Sequence, residues 1–234
     1  MSRIPWIIAG CLLAGCTAEH VTDPAVEPMV TPPSGVFALP LEEPDRYYQT
    51  IGIDHDGTAG GEGIAAATAC RDYDDRPFPW CYDGHTGSDY LLRDGWESMD
   101  AGSTGVLAAA DGVVIEVEDG NYDRCHLSVE LGDVDCDGHD GRPNIVRIDH
   151  GRGLVSSYYH LMNGSIVVEV GQEVRCGEPL ARVGSSGYSS FPHLHFQVAR
   201  SGERVDPYEG VANDRPSLWL QQNGNTELPS PECP

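Results

Sequence analysis

The chain has 234 residues and a strong excess of acid: 37 Asp and Glu against 14 basic residues, all of them Arg, for a formal net charge of −23. With no lysine and no basic patch there is little to neutralise phosphates, so nucleic-acid binding and a polybasic membrane-surface helix are both excluded. Apolar (40%) and charged (22%) fractions are those of a folded chain, while 28 glycines and 17 prolines call for many turns and few long helices.

Residues 1–15 read as a signal peptide. Arg3 supplies the positive start, and the apolar run that follows is about 12 residues, short of the ~20 that a spanning helix needs. The run ends Leu13-Ala14-Gly15-Cys16, which resembles the bacterial lipobox, so Cys16 is expected to become the lipidated N-terminus of an exported lipoprotein. Thr17 after the cysteine fits sorting to the outer membrane, facing the periplasm, with the cell surface as the other possibility. Residues 16–35 are polar and Pro-rich and read as the lipidated cysteine and its tether. A single domain is expected over 36–212, interrupted by an acidic insertion at about 119–143, and residues 213–234 read as a surface tail.

Within the domain the apolar pattern has period two. The β-branched runs at 113–117, 145–148 and 166–170 are of strand length, and Ile148 to Leu154 looks like a hairpin turn between two strands, the second ending Tyr158-Tyr159-His160. Helical periodicity is nearly absent, with a single turn at most from Ala65 to Ala69. The expected fold is mainly β: one antiparallel sheet with long loops and an active-site groove on one sheet face. Export also sets the cysteine chemistry. Beyond Cys11 and Cys16 six remain, which an oxidising compartment would join as three disulfides in any of 15 pairings. Cys70–Cys81 and Cys125–Cys136 are favoured because each closes a short polar loop, leaving Cys176–Cys233 to pin the tail.

In the insertion, Asp133, Asp135 and Asp137 followed by Gly138 have the D-x-D-x-D-G opening of a calcium loop. Position twelve is Asn144 rather than a bidentate Glu, and Cys136 is expected in a disulfide; a solvated acidic loop is the competing reading.

Chemistry-bearing residues concentrate at three places. In His193-Leu194-His195 the two imidazoles share one face of a strand, with Leu194 and Phe196 turned to the core. In His85-Thr86-Gly87-Ser88-Asp89 an extended chain would hold His85 and Asp89 about 13 Å apart, and a bend at Gly87 is the expected means of bringing them together. His160 stands at a strand end. Singly each is an ordinary feature: a polar face, a surface loop, a structural histidine. In this order, with the fragments at 106–112, 144–151, 159–161 and 184–187 between them, they resemble the lysostaphin-like zinc metallo-endopeptidases, which cut peptide bonds in bacterial peptidoglycan.

The resemblance implies one Zn²⁺ on His85, Asp89 and His195, with an open position for water, and His160 and His193 as catalytic helpers. All five are present, which argues against the zinc-less regulatory relatives. Two features depart from the family: the insertion, and Gln197 where an acidic residue usually follows His-Leu-His-Phe. Tyr82 lies near the metal motif without a transferable role, and His150 is assigned to packing in its turn. The implied function is cleavage of peptidoglycan cross-links or stem peptides by an enzyme tethered through lipid alone. The alternatives are an exported zinc protease acting on Gly-rich proteins and a non-catalytic wall-binding module that activates other hydrolases. Protein partners are not specified by the sequence.

Overall fold

The computed structural model describes residues 35–57, 68–102, 104–128, 130, 133–224 and 227–234. The signal peptide, Cys16 and nearly all of the tether fall outside them, as does most of the turn expected at Ala65 to Ala69. The strands are β1 (Tyr47–Ile51), β2 (Ser88–Leu92), β3 (Gly105–Leu107), β4 (Gly112–Glu118), β5 (His126–Ser128), β6 (Asp133–Asp135), β7 (Ile145–Asp149), β8 (Leu154–Tyr159), β9 (Glu173–Val174), β10 (Pro179–Arg182), β11 (His193–Arg200) and β12 (Glu203–Val205). One antiparallel sheet runs β1-β2-β11-β8-β7-β4-β9, with β12 beside the second half of β11; β3–β10 and β5–β6 form two small sheets. Among the described residues no helix is long and apolar enough to cross a membrane.

Alternation explains why the sheet has one packed face. Leu194, Phe196 and Val198 of β11 are fully buried, and Tyr90 and Leu92 of β2, Tyr158 of β8, Ile148 of β7 and Val114 of β4 point with them into the core. The intervening residues Asp89, His193 and His195 take the other face. The turn at Asp149 to Leu154 forms as expected: the His150 N–H bonds the Leu154 carbonyl, and Gly151, Arg152 and Gly153 all take positive φ. His150 packs edge-on to Phe37 and bonds the Asp111 carbonyl and Ser156. All three favoured disulfides, Cys70–Cys81, Cys125–Cys136 and Cys176–Cys233, are present.

Four expectations need correction. The run 166–170 is not a strand: Val167 bonds the Leu180 carbonyl, but no ladder follows and Val167 and Val170 lie exposed. A seven-residue helix, α1 (Gly95–Ala101), occurs where none was expected, closed by the left-handed Gly102. The three carboxylates of the acidic insertion are not gathered as a calcium loop requires. Asp133–Asp135 is strand β6, paired with β5 and stapled to it through Cys125–Cys136, so the three carboxylates do not converge. Asp133 is bonded by Tyr188, while Asp135 and Asp137 come within 4.8 Å of His126 instead; Asn144 is fully buried, with its amide on Asn121 and Leu161.

The fourth correction concerns residues 213–234, which are not a surface tail. Leu218 and Trp219 are buried, and Trp219 meets Phe37, Phe196 and Tyr208 through its ring and forms a parallel bridge with Phe37 through its backbone. Trp219→Ala is expected to cost about 3–5 kcal/mol of unfolding free energy, the usual penalty for emptying a buried aromatic site. Urea denaturation of the two proteins measures it, and a loss below about 0.5 kcal/mol, typical of surface positions, would contradict the packing.

Candidate metal centre

The site is built by strand register. In β11, His195 lies directly opposite Asp89 of β2 on one side and Tyr159 of β8 on the other, and His160 follows Tyr159 at once. His193 is two residues back on the same face, opposite Leu91. Three adjacent strands therefore bring four of the five implied residues together. The fifth, His85, arrives on a loop whose turn is made at Gly84 (φ +72°). Asp54 holds that loop: its carboxylate accepts from the Gly84 N–H and its own N–H donates to the His85 carbonyl.

The donor atoms converge closely. His85 Nε2 is 3.2 Å from Asp89 Oδ1 and 3.2 Å from His195 Nδ1, and His195 Nδ1 is 2.8 Å from Asp89 Oδ1. A tetrahedral ion with bonds of about 2.0 Å requires donors about 3.3 Å apart, so the trio fits a single zinc-sized ion with a position left over. All three side chains are buried. The His85 Nδ1–H donates to the Gly52 carbonyl (2.7 Å), which fixes the tautomer and leaves Nε2 as the ligand.

Electrostatics suit a cation. Burial opposes ionisation of Asp89, but the His85 and His193 side chains and hydrogen bonds from His195 and His85 outweigh it and hold the carboxyl well below its ordinary range. Burial pushes His195 down, toward the neutral form a ligand needs. At His85 burial acts in the same sense, but the Asp89 charge and the Gly52 carbonyl overcome it and raise the pKa.

His160 and His193 lie beside the trio, with their ring centres 4.6 Å apart and His160 5.8 Å from His195. His160 takes a left-handed backbone (φ 62°), uncommon for a residue with a side chain, and its Nδ1–H donates to the Ser186 carbonyl at 2.6 Å. Burial, then the neighbouring His193 and His195, drives its pKa well below the usual value. The His193 Nδ1–H donates to the Phe191 carbonyl at 2.7 Å, and its Nε2 lies 3.5 Å from Asp89. Gln197 accepts from the Thr86 hydroxyl, tying the His85 loop to β11. Tyr82 packs its ring on His85 at 4.3 Å and lines the adjoining cleft, of about 290 Å³, with Asp89, His193 and Tyr188.

Residues 85–207 match Peptidase family M23. The chain belongs to that family. The M23 domain also shows sequence similarity to the murein hydrolase activator EnvC of Escherichia coli (44% identical over 63 residues, 27% of this chain and 15% of that one). The DD-carboxypeptidase/endopeptidase Mpg of Neisseria meningitidis is 33% identical over 135 residues, 57% of this chain and 24% of the relative. The lipoprotein NlpD/LppB homolog of Pseudomonas aeruginosa is 38% identical over 69 residues, covering 30% and 22%. The chain thus spans a quarter or less of these relatives' lengths. Among solved structures, the catalytic domain of the M23 protein EnpA from Enterococcus faecalis is 26% identical with a TM-score of 0.39, covering 58% of this chain and 85% of that one. Family M23 is a family of hydrolases.

Gly87 forms the bend that the sequence suggested, directly before β2, and it is also a point of close approach. The His195 ring and the Phe196 carbonyl press on its Cα, where a Cβ would stand 2.6 Å from His195 Nε2 and 2.7 Å from Phe196 O. Since one of these atoms is backbone, Gly87→Ala must displace β11 or the His195 ring. Zinc affinity is expected to fall about 10–100-fold, the range seen when the supports of a metal ligand are disturbed. Competition against a chromophoric chelator measures it, and unchanged affinity would refute the steric role.

Proposed function

We propose that this chain is a zinc-dependent endopeptidase acting on bacterial peptidoglycan, and that its mature form is a lipoprotein held at the membrane through Cys16. The observation that carries the reading is the open trio of His85, Asp89 and His195 with two further histidines beside it. A purely stabilising metal has no need of His160 and His193 beside it, so this arrangement favours catalysis over an activator role. Similarity to the Neisseria endopeptidase supports the same class of reaction.

Zinc bound there would lower the pKa of water toward ~7 and polarise the scissile carbonyl. The chain's own contribution is proton handling and orientation. Because backbone carbonyls can only accept, the Nδ1 atoms of His160 and His193 carry protons, and each Nε2 is left as the free basic atom. His160, kept neutral by burial, is suited to accept a proton from water and return it to the leaving amine, while His193, its Nε2 3.5 Å from Asp89, is placed to orient the water. Tyr82 and Phe191 line the cleft where the peptide would lie.

Ligands and helpers should separate experimentally. His85→Ala and Asp89→Ala are expected to lose both metal and peptidoglycan cleavage. His160→Ala and His193→Ala should retain one zinc per chain and lose about 10²–10⁴-fold in turnover. Chelation should silence the wild type and zinc restore it; cleavage by metal-free protein would overturn the assignment.

Lipidation rests on Leu13-Ala14-Gly15-Cys16, with the similarity to a Pseudomonas lipoprotein in support. Cys16→Ser is expected to move the protein out of the membrane fraction or block its maturation. Mass spectrometry of the mature N-terminus gives the independent check, an unmodified start at another residue being the contrary result.

A further inference from the structure

The insertion that departs from the family pattern forms one side of the cleft beside the metal centre. It is fastened there at several points. The Cys125 N–H bonds the Ser185 carbonyl, Ser185 Oγ donates back to Cys125 O, and the Leu127 N–H bonds the Ser190 carbonyl. The Cys125–Cys136 disulfide joins β5 to the end of β6. Leu127, Asp133 and Val134 of this hairpin line the same cleft as Asp89 and His193, together with Tyr188 and Phe191.

Within that cleft Asp133 is held in a particular state. The Tyr188 hydroxyl (2.6 Å) and the Val134 N–H (2.8 Å) both donate to its Oδ1. Oδ2 receives no hydrogen bond from the described residues. The same two donors, Tyr188 foremost, keep its pKa below the ordinary carboxylate value, so the charge persists at neutral pH. No arginine lines the cleft, and the two arginines of the hairpin segment are engaged elsewhere, Arg124 with Asp100 and Arg142 with Glu118. Away from the metal, then, the cleft offers apolar surface from Leu91, Leu127 and Phe191 and one oriented anion without a cationic partner.

We propose that Asp133, set by Tyr188, is a specificity-determining residue that binds a primary ammonium on the substrate, so that the enzyme selects peptides bearing a free amine near the scissile bond. This rests on the endopeptidase reading and specifies its substrate class. Peptides whose neighbouring side chain is neutral would leave Oδ2 solvated and gain nothing from it.

The test uses the zinc-loaded protein and soluble peptides released from peptidoglycan in three forms: with free amines, N-acetylated to remove the charge, and reductively dimethylated to keep it. Acetylation is expected to lower kcat/KM about tenfold or more, the scale of a charge-assisted hydrogen bond, and dimethylation to restore most of it. Asp133→Asn should lose the same factor on free-amine peptides, become indifferent to acetylation, and keep one zinc per chain; Tyr188→Phe should show a smaller loss of preference. Equal cleavage of free and acetylated peptides by the wild type, or an undiminished preference in Asp133→Asn, would overturn the proposal and leave the endopeptidase reading intact. If the wild type cleaves none of them, it is the endopeptidase reading that falls. Calorimetric binding of the same three preparations then decides the role of Asp133: a preference for the charged forms supports it, and equal affinity rejects it.

Discussion

The centre depends on the register of β11 between β2 and β8. Side chains alternate along a strand, so a shift of one residue would turn His193 and His195 into the core and bring Leu194 and Phe196 to the metal face. What forbids the shift is the packing on the far side, where Leu194, Phe196 and Val198 are wholly buried against Tyr158, Phe37 and Trp219. The apolar core thus fixes His193 and His195 opposite Leu91 and Asp89, on the face of the sheet turned away from it. The cost of gathering a carboxylate and several imidazoles in a buried place is offset in part by the interactions of the histidines with Asp89 and in part by the packing of the sheet.

A second layer restricts each imidazole, mostly through the backbone. Carbonyls of Gly52, Ser186 and Phe191 receive the Nδ1 protons of His85, His160 and His193. His195 is confined differently, by the absence of a Cβ at Gly87. Carbonyl acceptors set the tautomer without adding a titrating group, and among the described residues the carboxylate bonded to the donor atoms is that of Asp89 itself. The loops that supply these carbonyls need to be stiff. Cys70–Cys81 tightens the region that follows the Gly52 loop, and Ser186 is itself fixed by Asn144 and Leu161.

Much of this could be read from the residues. Period-two alternation placed His193 and His195 on one face, and the order of the three motifs carried the family. Other parts left no such trace. A β-branched run such as 166–170 satisfies local strand preference, but pairing is non-local and the neighbouring chain offers it a single hydrogen bond. At Gly87 the bend was legible in the sequence, but its second use, leaving room for the His195 ring, was not. The supports of the histidines are carbonyls, which every residue has, so Gly52 and Ser186 gave no signal. Helix α1 is too short to display a period, and in residues 213–234 the polar and proline-rich composition concealed two anchoring side chains, Leu218 and Trp219.

The pairing of Phe37 with Trp219 has a bearing on the order of assembly. Residues 35–37 bond residues 217 and 218, so the first and last parts of the core are neighbours, with the whole metal-binding sheet between them in the chain. A polypeptide emerging from its N-terminus can pair β1, β2 and even β11 beforehand, with Phe37 and Tyr158 available to Phe196, but the cover over Phe196 is incomplete until the indole of Trp219 arrives. Vectorial synthesis or export therefore delivers the metal donors before the piece that locks their strand. Of the three aromatic rings that cover Phe196, that of Trp219 is the last to be made, after every metal donor.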